Sequence, residues 1–417
     1  MHYLNYFMGE FMNTNWKRNI ILFLSSQSIS LFGSMLVQYA ITWYITLETQ
    51  SGTMMTISII CGFLPTFFIS IFAGVWADRY NRKILIIISD SLIAISTLIL
   101  AILFLNGYDS IWLLFVALAI RALGSGIQTP AIGAFIPQLV PNDKLTKVNA
   151  INSSIQSLVM LASPMLSGAL LTMATIETIF FIDVITAALA VIILFLFLHV
   201  PAHAKALSKQ TISYFEDLRE GFKYIKNHSF IKTFFIFSAI FYVLVGPVAF
   251  LTPLQVTRSF GDDVWRLTAT ELTFSVGMML GGITMASWNG FKNKLHTMSL
   301  STFTMGICTI LLGVVPVFWI YLLFMGLIGL VMPLYNTPAT VLLQQKVEGD
   351  FLGRVFGVLG MLSSIMMPLG MIVFGPIADV IKIEWLLLGT GFLILTESFF
   401  MVGNKALLEA GKPINND

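Results

Sequence analysis

Gly74-Val75-Trp76-Ala77-Asp78-Arg79-Tyr80-Asn81-Arg82-Lys83 is a short basic break between two long apolar runs, one near 53–76 and the other near 84–105. Each run is long enough to cross a bilayer as a helix, which takes roughly 20 predominantly apolar residues. Hydrocarbon offers the backbone no hydrogen-bond partner, and a continuous run of this length satisfies itself as a helix rather than as a barrel strand. The stretch therefore reads as a membrane hairpin with a charged tip.

Working outward, apolar runs of the same length recur along the chain. They lie near 19–47, 53–76, 84–105, 111–139, 148–173 and 176–198, then near 230–257, 268–289, 295–315, 317–345, 354–380 and 385–404. The polar stretch His199–Ser229 divides them. The 417-residue chain is 57% hydrophobic and only 11% charged, whereas a soluble domain carries about 25% charged residues. The fold class is therefore all-α integral membrane, with twelve transmembrane helices in two six-helix halves. Residues 1–198 form the first half, 199–229 a central loop and 230–417 the second half.

The halves repeat. Gln128-Thr129-Pro130-Ala131 in the fourth span matches Asn336-Thr337-Pro338-Ala339 in the tenth, 208 residues on. Asp143-x-Leu145-x-Lys147-Val148 matches Asp350-x-Leu352-x-Arg354-Val355, 207 residues on. Six spans plus six that start on the same side make parallel repeats about an axis along the membrane normal.

Lysine and arginine fix the expected orientation, because loops rich in them stay inside. Counting loop by loop, 19 of the 23 basic residues fall on one side, from Lys17 and Arg18 to Lys405 and Lys412. The other side has Arg258, Arg266 and Lys382, and Arg121 lies within a span. Both termini and the central loop are expected to be cytoplasmic, in a multi-pass protein of the plasma (inner) membrane. Met1 to Asn15 lacks the pattern of a cleavable signal, so the first span is expected to be a topogenic helix. Cys61 and Cys308 lie singly in apolar runs, which is no disulfide or metal pattern. His199, His203 and His228 read as solvated loop residues. Phe215, Leu218, Phe222 and Ile225, spaced 3, 4 and 3, predict an amphipathic helix over 214–227 lying along the bilayer.

Gly74 to Lys83 resembles the Gly-x-x-x-Asp-Arg-x-x-Arg-Lys signature of the major facilitator superfamily, in its expected loop. The resemblance implies the major facilitator fold, and a conformational latch built from Gly74, Asp78, Arg79, Arg82 and Lys83. Gly74 is expected to allow close helix approach. In the corresponding loop of the second half Asn289 stands where Asp78 does, so no second latch is expected. Arg121-Ala122-Leu123-Gly124-Ser125-Gly126 resembles the family's Arg motif, associated with proton-coupled members. Ser163-Pro164-Met165-Leu166-Ser167-Gly168 resembles its antiporter motif, with serines for two glycines; Pro164 and Gly168 are retained. Gly353–Gly357, Gly375–Asp379 and Phe181-Ile182-Asp183 look like the macrolide-efflux branch of drug:proton antiporters.

A proton-driven transporter needs an acid that changes protonation inside the membrane. An intramembrane charge is costly and marks a functional site by default. The candidates for proton coupling are Arg121, Asp183, Glu397 and Asp90. Helix rise puts Asp183 and Arg121 roughly 6 Å apart along the membrane normal. Each acid also has a structural reading, as a hydrogen-bonding group between helices. Gln27, Ser30, Ser34, Gln38 and Thr42 fall within about 120° of one face of the first span. Gln27, Ser34 and Gln38 are expected to face substrate, together with Tyr242, Tyr335 and Asn336. Packing of the small residues on a neighbouring helix is the other reading of that stripe.

Together these features predict a secondary active exporter of lipophilic, macrolide-like drugs in exchange for protons. The alternatives are export of an endogenous amphiphile (siderophore, peptide or lysolipid) and a non-transporting sensor or scaffold. The expected partners are the lipid bilayer, a small amphiphilic substrate and protons. No enzyme activity, cofactor, metal or nucleic acid is expected, and the resemblance implies a monomer.

Overall fold

Twelve stretches fold as long helices because each is an unbroken apolar run between polar loops. The computed structural model describes residues 15–198, 200 and 214–412. His199 and His203, and the side chains of Asp78, Phe215, Leu218, Asp350 and Gly353, lie outside the described residues. The first half supplies α1 (Trp16–Thr49), α2 (Gly52–Arg79), α3 (Arg82–Leu105), α4 (Ile111–Leu139), α5 (Leu145–Met173) and α6 (Ile176–Ile192). A wider-wound turn, Ile193–Phe197, prolongs α6. Beyond the central stretch come α7 (Tyr214–Asn227), α8 (Ser229–Phe250) and α9 (Thr252–Phe260). They are followed by α10 (Val264–Trp288), α11 (Lys294–Leu312), α12 (Phe318–Lys346), α13 (Gly349–Val380), α14 (Ile383–Gly403) and the short α15 (Lys405–Ala410).

Eleven helical segments are long and apolar enough to span, with α8 and α9 continuing one another over Ser229–Phe260. The remaining expected span, near 268–289, is α10, whose 25 residues include Arg266 and Glu271 and dilute its apolarity. Its length still suits a crossing, and its small residues serve packing. A methyl at Gly277 would come within 2.1 Å of the Gly326 carbonyl oxygen, and one at Gly281 within 2.1 Å of that of Leu330. Helices that meet backbone to backbone are held by van der Waals contact, which is how membrane helices associate.

The described helices fall into two compact units. One gathers α1 as far as Ile41, the part of α2 from Cys61, and α3 to α6. The other gathers Thr42–Ile60 with everything after the central stretch. At its basic-loop end the first unit packs Phe23, Ile86, Phe135, Leu139 and Leu194 into one core, with Phe23 edge-on to Phe135 at 5.1 Å between ring centroids.

The predicted helix over 214–227 forms as α7, but it docks on protein. Arg354 pairs with Glu220 at 3.0 Å, and the Tyr224 ring stacks on Phe351 at 4.4 Å. Those contacts turn Tyr224 and Ile225 inward onto the start of α13, while Phe222 stays 52% exposed. The side chain of His228 meets the Tyr224 carbonyl at 2.8 Å and takes its place in this cluster.

Candidate functional site

At the tip of the α2–α3 hairpin, Asn81 caps α3 by accepting from the Lys83 amide at 3.1 Å. Arg82 donates to the Ala77 carbonyl at 2.9 Å and to the Ala134 carbonyl at 2.9 Å, joining the ends of α2 and α4. Lys83 donates to the Leu198 carbonyl at 2.7 Å, a cation at the carbonyl end of the sixth span. Both residues therefore find partners inside their own unit. Arg79 is exposed and is not without a partner. Gly74 does not serve close approach: a methyl there would meet nothing within 4 Å.

Further into the membrane, Arg121 on α4 meets Asp183 on α6. Its Nη1 donates to Asp183 Oδ2 at 2.5 Å and to Thr97 Oγ1 at 2.5 Å, while Nη2 donates to the Ser34 carbonyl at 3.1 Å. Asp183 also accepts from Thr97 at 2.9 Å and from Ser34 at 3.3 Å. The side chains are 7% and 0% exposed, so this is a buried ion pair spanning α1, α3, α4 and α6. Burial of such a pair is tolerated because every charge has an opposite charge and hydroxyl partners. The glycines beside Arg121 explain how α4 gets so close. A methyl at Gly124 would press on Ile93 of α3 at 2.6 Å, and one at Gly126 on Ile69 of α2 at 2.3 Å.

Nearer the basic-loop end lies a second acid. Asp90 on α3 is 1% exposed, and accepts from Ser30 at 2.6 Å, from Gln128 at 2.7 Å and from Gln27 at 3.5 Å. Gln128 also donates to Gln27 Oε1 at 3.3 Å. No cation takes part in these bonds. A cavity of about 510 Å³ runs past both acids' partners, lined by Gln27, Ser30, Ser34, Gln38, Arg121, Gln128 and, from α5, Asn149, Asn152 and Gln156. The α1 stripe has two kinds of contact. Its side chains hold the acids of neighbouring helices and also border the open space.

Three expected substrate residues sit in the second unit, and none lines this cavity. Tyr335 is buried within α12's packing, its ring stacked on Phe241 at 4.4 Å and its hydroxyl 3.4 Å from Ser238. Tyr242 is half-buried and Asn336 exposed. Pro164 and Gly168 are buried on α5, and between them Ser167 donates to the Leu36 carbonyl of α1 at 3.1 Å. That hydroxyl ties two helices where the family motif has glycine. Glu397, on α14 in the second unit, is 5% exposed, and neither of its oxygens has a hydrogen-bond partner among the described residues.

Two contributors escaped the sequence reading. Gly33 lets α1 reach α6, since a methyl there would sit 2.0 Å from Thr186 Oγ1 and 3.1 Å from Asp183 Oδ1. A glycine inside a polar helical stripe was the available signal. In the second unit, Asp379 accepts from Ser51 Oγ at 2.8 Å and from the amides of Gly52 and Thr53 at 2.7 and 2.9 Å, capping α2. Arg258 pairs with the same carboxylate at 3.2 Å.

Two helical repeats, buried membrane charges and a polar cavity define a membrane transporter. The chain belongs to the Major Facilitator Superfamily, whose model matches residues 23–371. It is 28% identical over 383 residues to "Macrolide efflux protein A" of Streptococcus pyogenes, covering 91% of this chain and 94% of that one. It is 24% identical over 397 residues to "Staphyloferrin A transporter" of Staphylococcus aureus (strain NCTC 8325 / PS 47), covering 93% and 97%. Among solved structures, a POT family transporter in complex with 5-aminolevulinic acid superposes with a TM-score of 0.72 at 15% identity, covering 93% of this chain and 96% of that chain. That last likeness concerns the fold alone. The family is one of transporters, not of enzymes.

Proposed function

We propose that this chain is a secondary active exporter of lipophilic, macrolide-like drugs, working in exchange for protons. The observation that carries the reading is the Arg121–Asp183 pair at 2.5 Å, bordering a cavity of about 510 Å³ lined by amides and hydroxyls. A carboxylate held by a guanidinium is a two-state device. Ionised, Asp183 keeps Arg121, Thr97 and Ser34 together across four helices. Protonated, it loses the charge that holds Arg121, which is then free to turn toward the cavity. Asp90, held by the cavity-lining Gln27, Ser30 and Gln128, is a second proton acceptor, and it takes up a proton without disturbing an ion pair. Substrate is taken by the amide-lined space between α1, α4 and α5. Support for the drug class comes from the relative named a macrolide efflux protein, which aligns over most of both chains.

In this reading the protein is a monomer in the plasma membrane, with both termini and the basic loops cytoplasmic, an orientation that the lysine and arginine asymmetry supports. The basic cluster Asp78–Lys83 acts in the conformational cycle. Accumulation of a labelled macrolide in pump-deficient cells tests the proposal. Cells expressing the chain should accumulate less, and a protonophore should abolish the difference. Equal accumulation in expressing and empty cells, with the protein shown in the membrane, would sink it. The relative named a staphyloferrin A transporter favours a second reading, export of an endogenous metabolite, which that negative result would leave standing.

A further inference from the structure

On the second unit, α8 and α14 leave a groove of about 540 Å³ between them. Its walls are Phe237, Ile240 and Leu244 from α8, and Leu393, Phe399 and Phe400 from α14. Phe399 and Phe400 are 67% and 65% exposed, and Ile240 is 45% exposed. In a membrane protein such apolar side chains face lipid. One residue is out of keeping with these walls. Glu397 borders the groove, is 5% exposed, and has no hydrogen bond to either carboxyl oxygen among the described residues.

A carboxyl buried without a partner is costly, and its cost is relieved by a proton or by an opposite charge. Asp90 and Asp183, by contrast, are each satisfied by several donors. The walls are mostly aromatic and aliphatic; Thr396 and Asn404 also border the groove, and its one charged side chain is anionic. Charge complementarity selects an occupant with a cationic centre, and the walls select an apolar body. Aromatic faces also attract an ammonium group. Glu397 lies six residues before Gly403, about 9 Å from the basic-loop end of α14 at 1.5 Å per residue.

We infer that this groove is a lateral binding site for a lipophilic amine, whose ammonium pairs with Glu397 while its apolar part lies along Phe237, Ile240, Phe399 and Phe400. The amine arrives from the leaflet on the basic-loop side, where amphiphiles destined for export dissolve. Only this last statement rests on the exporter reading; the site itself does not.

The test is equilibrium binding to the full chain in nanodiscs of phosphatidylglycerol, which brings no amine of its own. The probe is a tritiated N,N-dimethyl alkylamine, with the uncharged alkyl alcohol of equal length as control. Glu397→Gln should weaken amine binding at least about tenfold, the loss of a single well-placed charge, and leave alcohol binding unchanged. Ile240→Trp, on the exposed wall, should weaken both probes by filling the groove. Equal amine affinity in the parent and Glu397→Gln overturns the site, and so does a parallel loss of both probes in Glu397→Gln. If Glu397→Gln does not fold, Ile240→Trp decides: amine binding that survives it overturns the proposal. Binding is read without transport, so a chain that fails the macrolide assay but passes this one retains the site.

Discussion

The ion pair of the first unit makes an asymmetric prediction about its two members. Asp183→Asn removes the anion that Arg121 Nη1 holds and leaves a guanidinium with only neutral acceptors, among them Thr97 Oγ1 and the Ser34 carbonyl. A guanidinium cannot shed its proton inside a protein. Breaking a buried pair in this way costs about 3–5 kcal/mol. Arg121→Ala leaves Asp183 with Thr97 and Ser34 as hydroxyl donors at 2.9 and 3.3 Å, and a carboxyl can take up a proton and become neutral. The cost should then be nearer that of an unsatisfied polar group, about 1–3 kcal/mol. Thermal unfolding of the purified proteins in detergent should rank parent, then Arg121→Ala, then Asp183→Asn.

Both single variants are expected to lose transport. The double variant Arg121→Met with Asp183→Asn separates structure from function. Replacing both charges removes the uncompensated ion, so its stability should return to within about 1 kcal/mol of the parent. Its transport should stay absent in loaded vesicles, because the switch is gone. Two results would overturn this role for the pair. Asp183→Asn as stable as Arg121→Ala would mean that the pair is not what holds the four helices. Parent-like transport by the double variant would show that the pair is scaffold and that coupling resides elsewhere.

Gly33→Ala should cost about 1–3 kcal/mol through overpacking, because the new methyl falls 2.0 Å from Thr186 Oγ1. Thr186→Ala in the same chain should recover most of that loss in a melting experiment, and no recovery would place the strain elsewhere. Asp379→Ala removes the cap of α2 and the partner of Arg258; at about 1–2 kcal/mol for a lost cap, amide exchange over residues 51–56 should speed up at least several-fold. Unchanged protection there would show that Asp379 is dispensable for that helix end.

The union of Arg121 and Asp183 was legible because it follows from depth: two helices that cross a bilayer must bring residues of equal depth to one level, and an unpaired charge there has few partners to choose from. Asp90 was legible as buried, yet its partners were not, because depth says nothing of how far each helix is rotated about its axis. The repeat shows why. Gln128 and Asn336 occupy equivalent places in matching tetrapeptides, yet only Asn336 was expected at the cavity. The offset of 211 that sets Asn289 against Asp78 also sets Ser301 against Asp90. Ser301 has no carboxylate to offer; its hydroxyl donates instead to the Val331 carbonyl at 2.5 Å. Gln128 therefore turns inward onto an acid, while Asn336, with no acid opposite, is left exposed. Tyr335, which has an apolar ring to bury, takes the inward place beside Phe241. The duplicated backbone is thus an insufficient guide to the site, since what a side chain does on one helix is settled by a residue on the next. In this chain the buried acids paired with amides and arginine, Asp90 and Asp183, belong to the first unit, and Glu397, whose oxygens have no hydrogen bond among the described residues, belongs to the second.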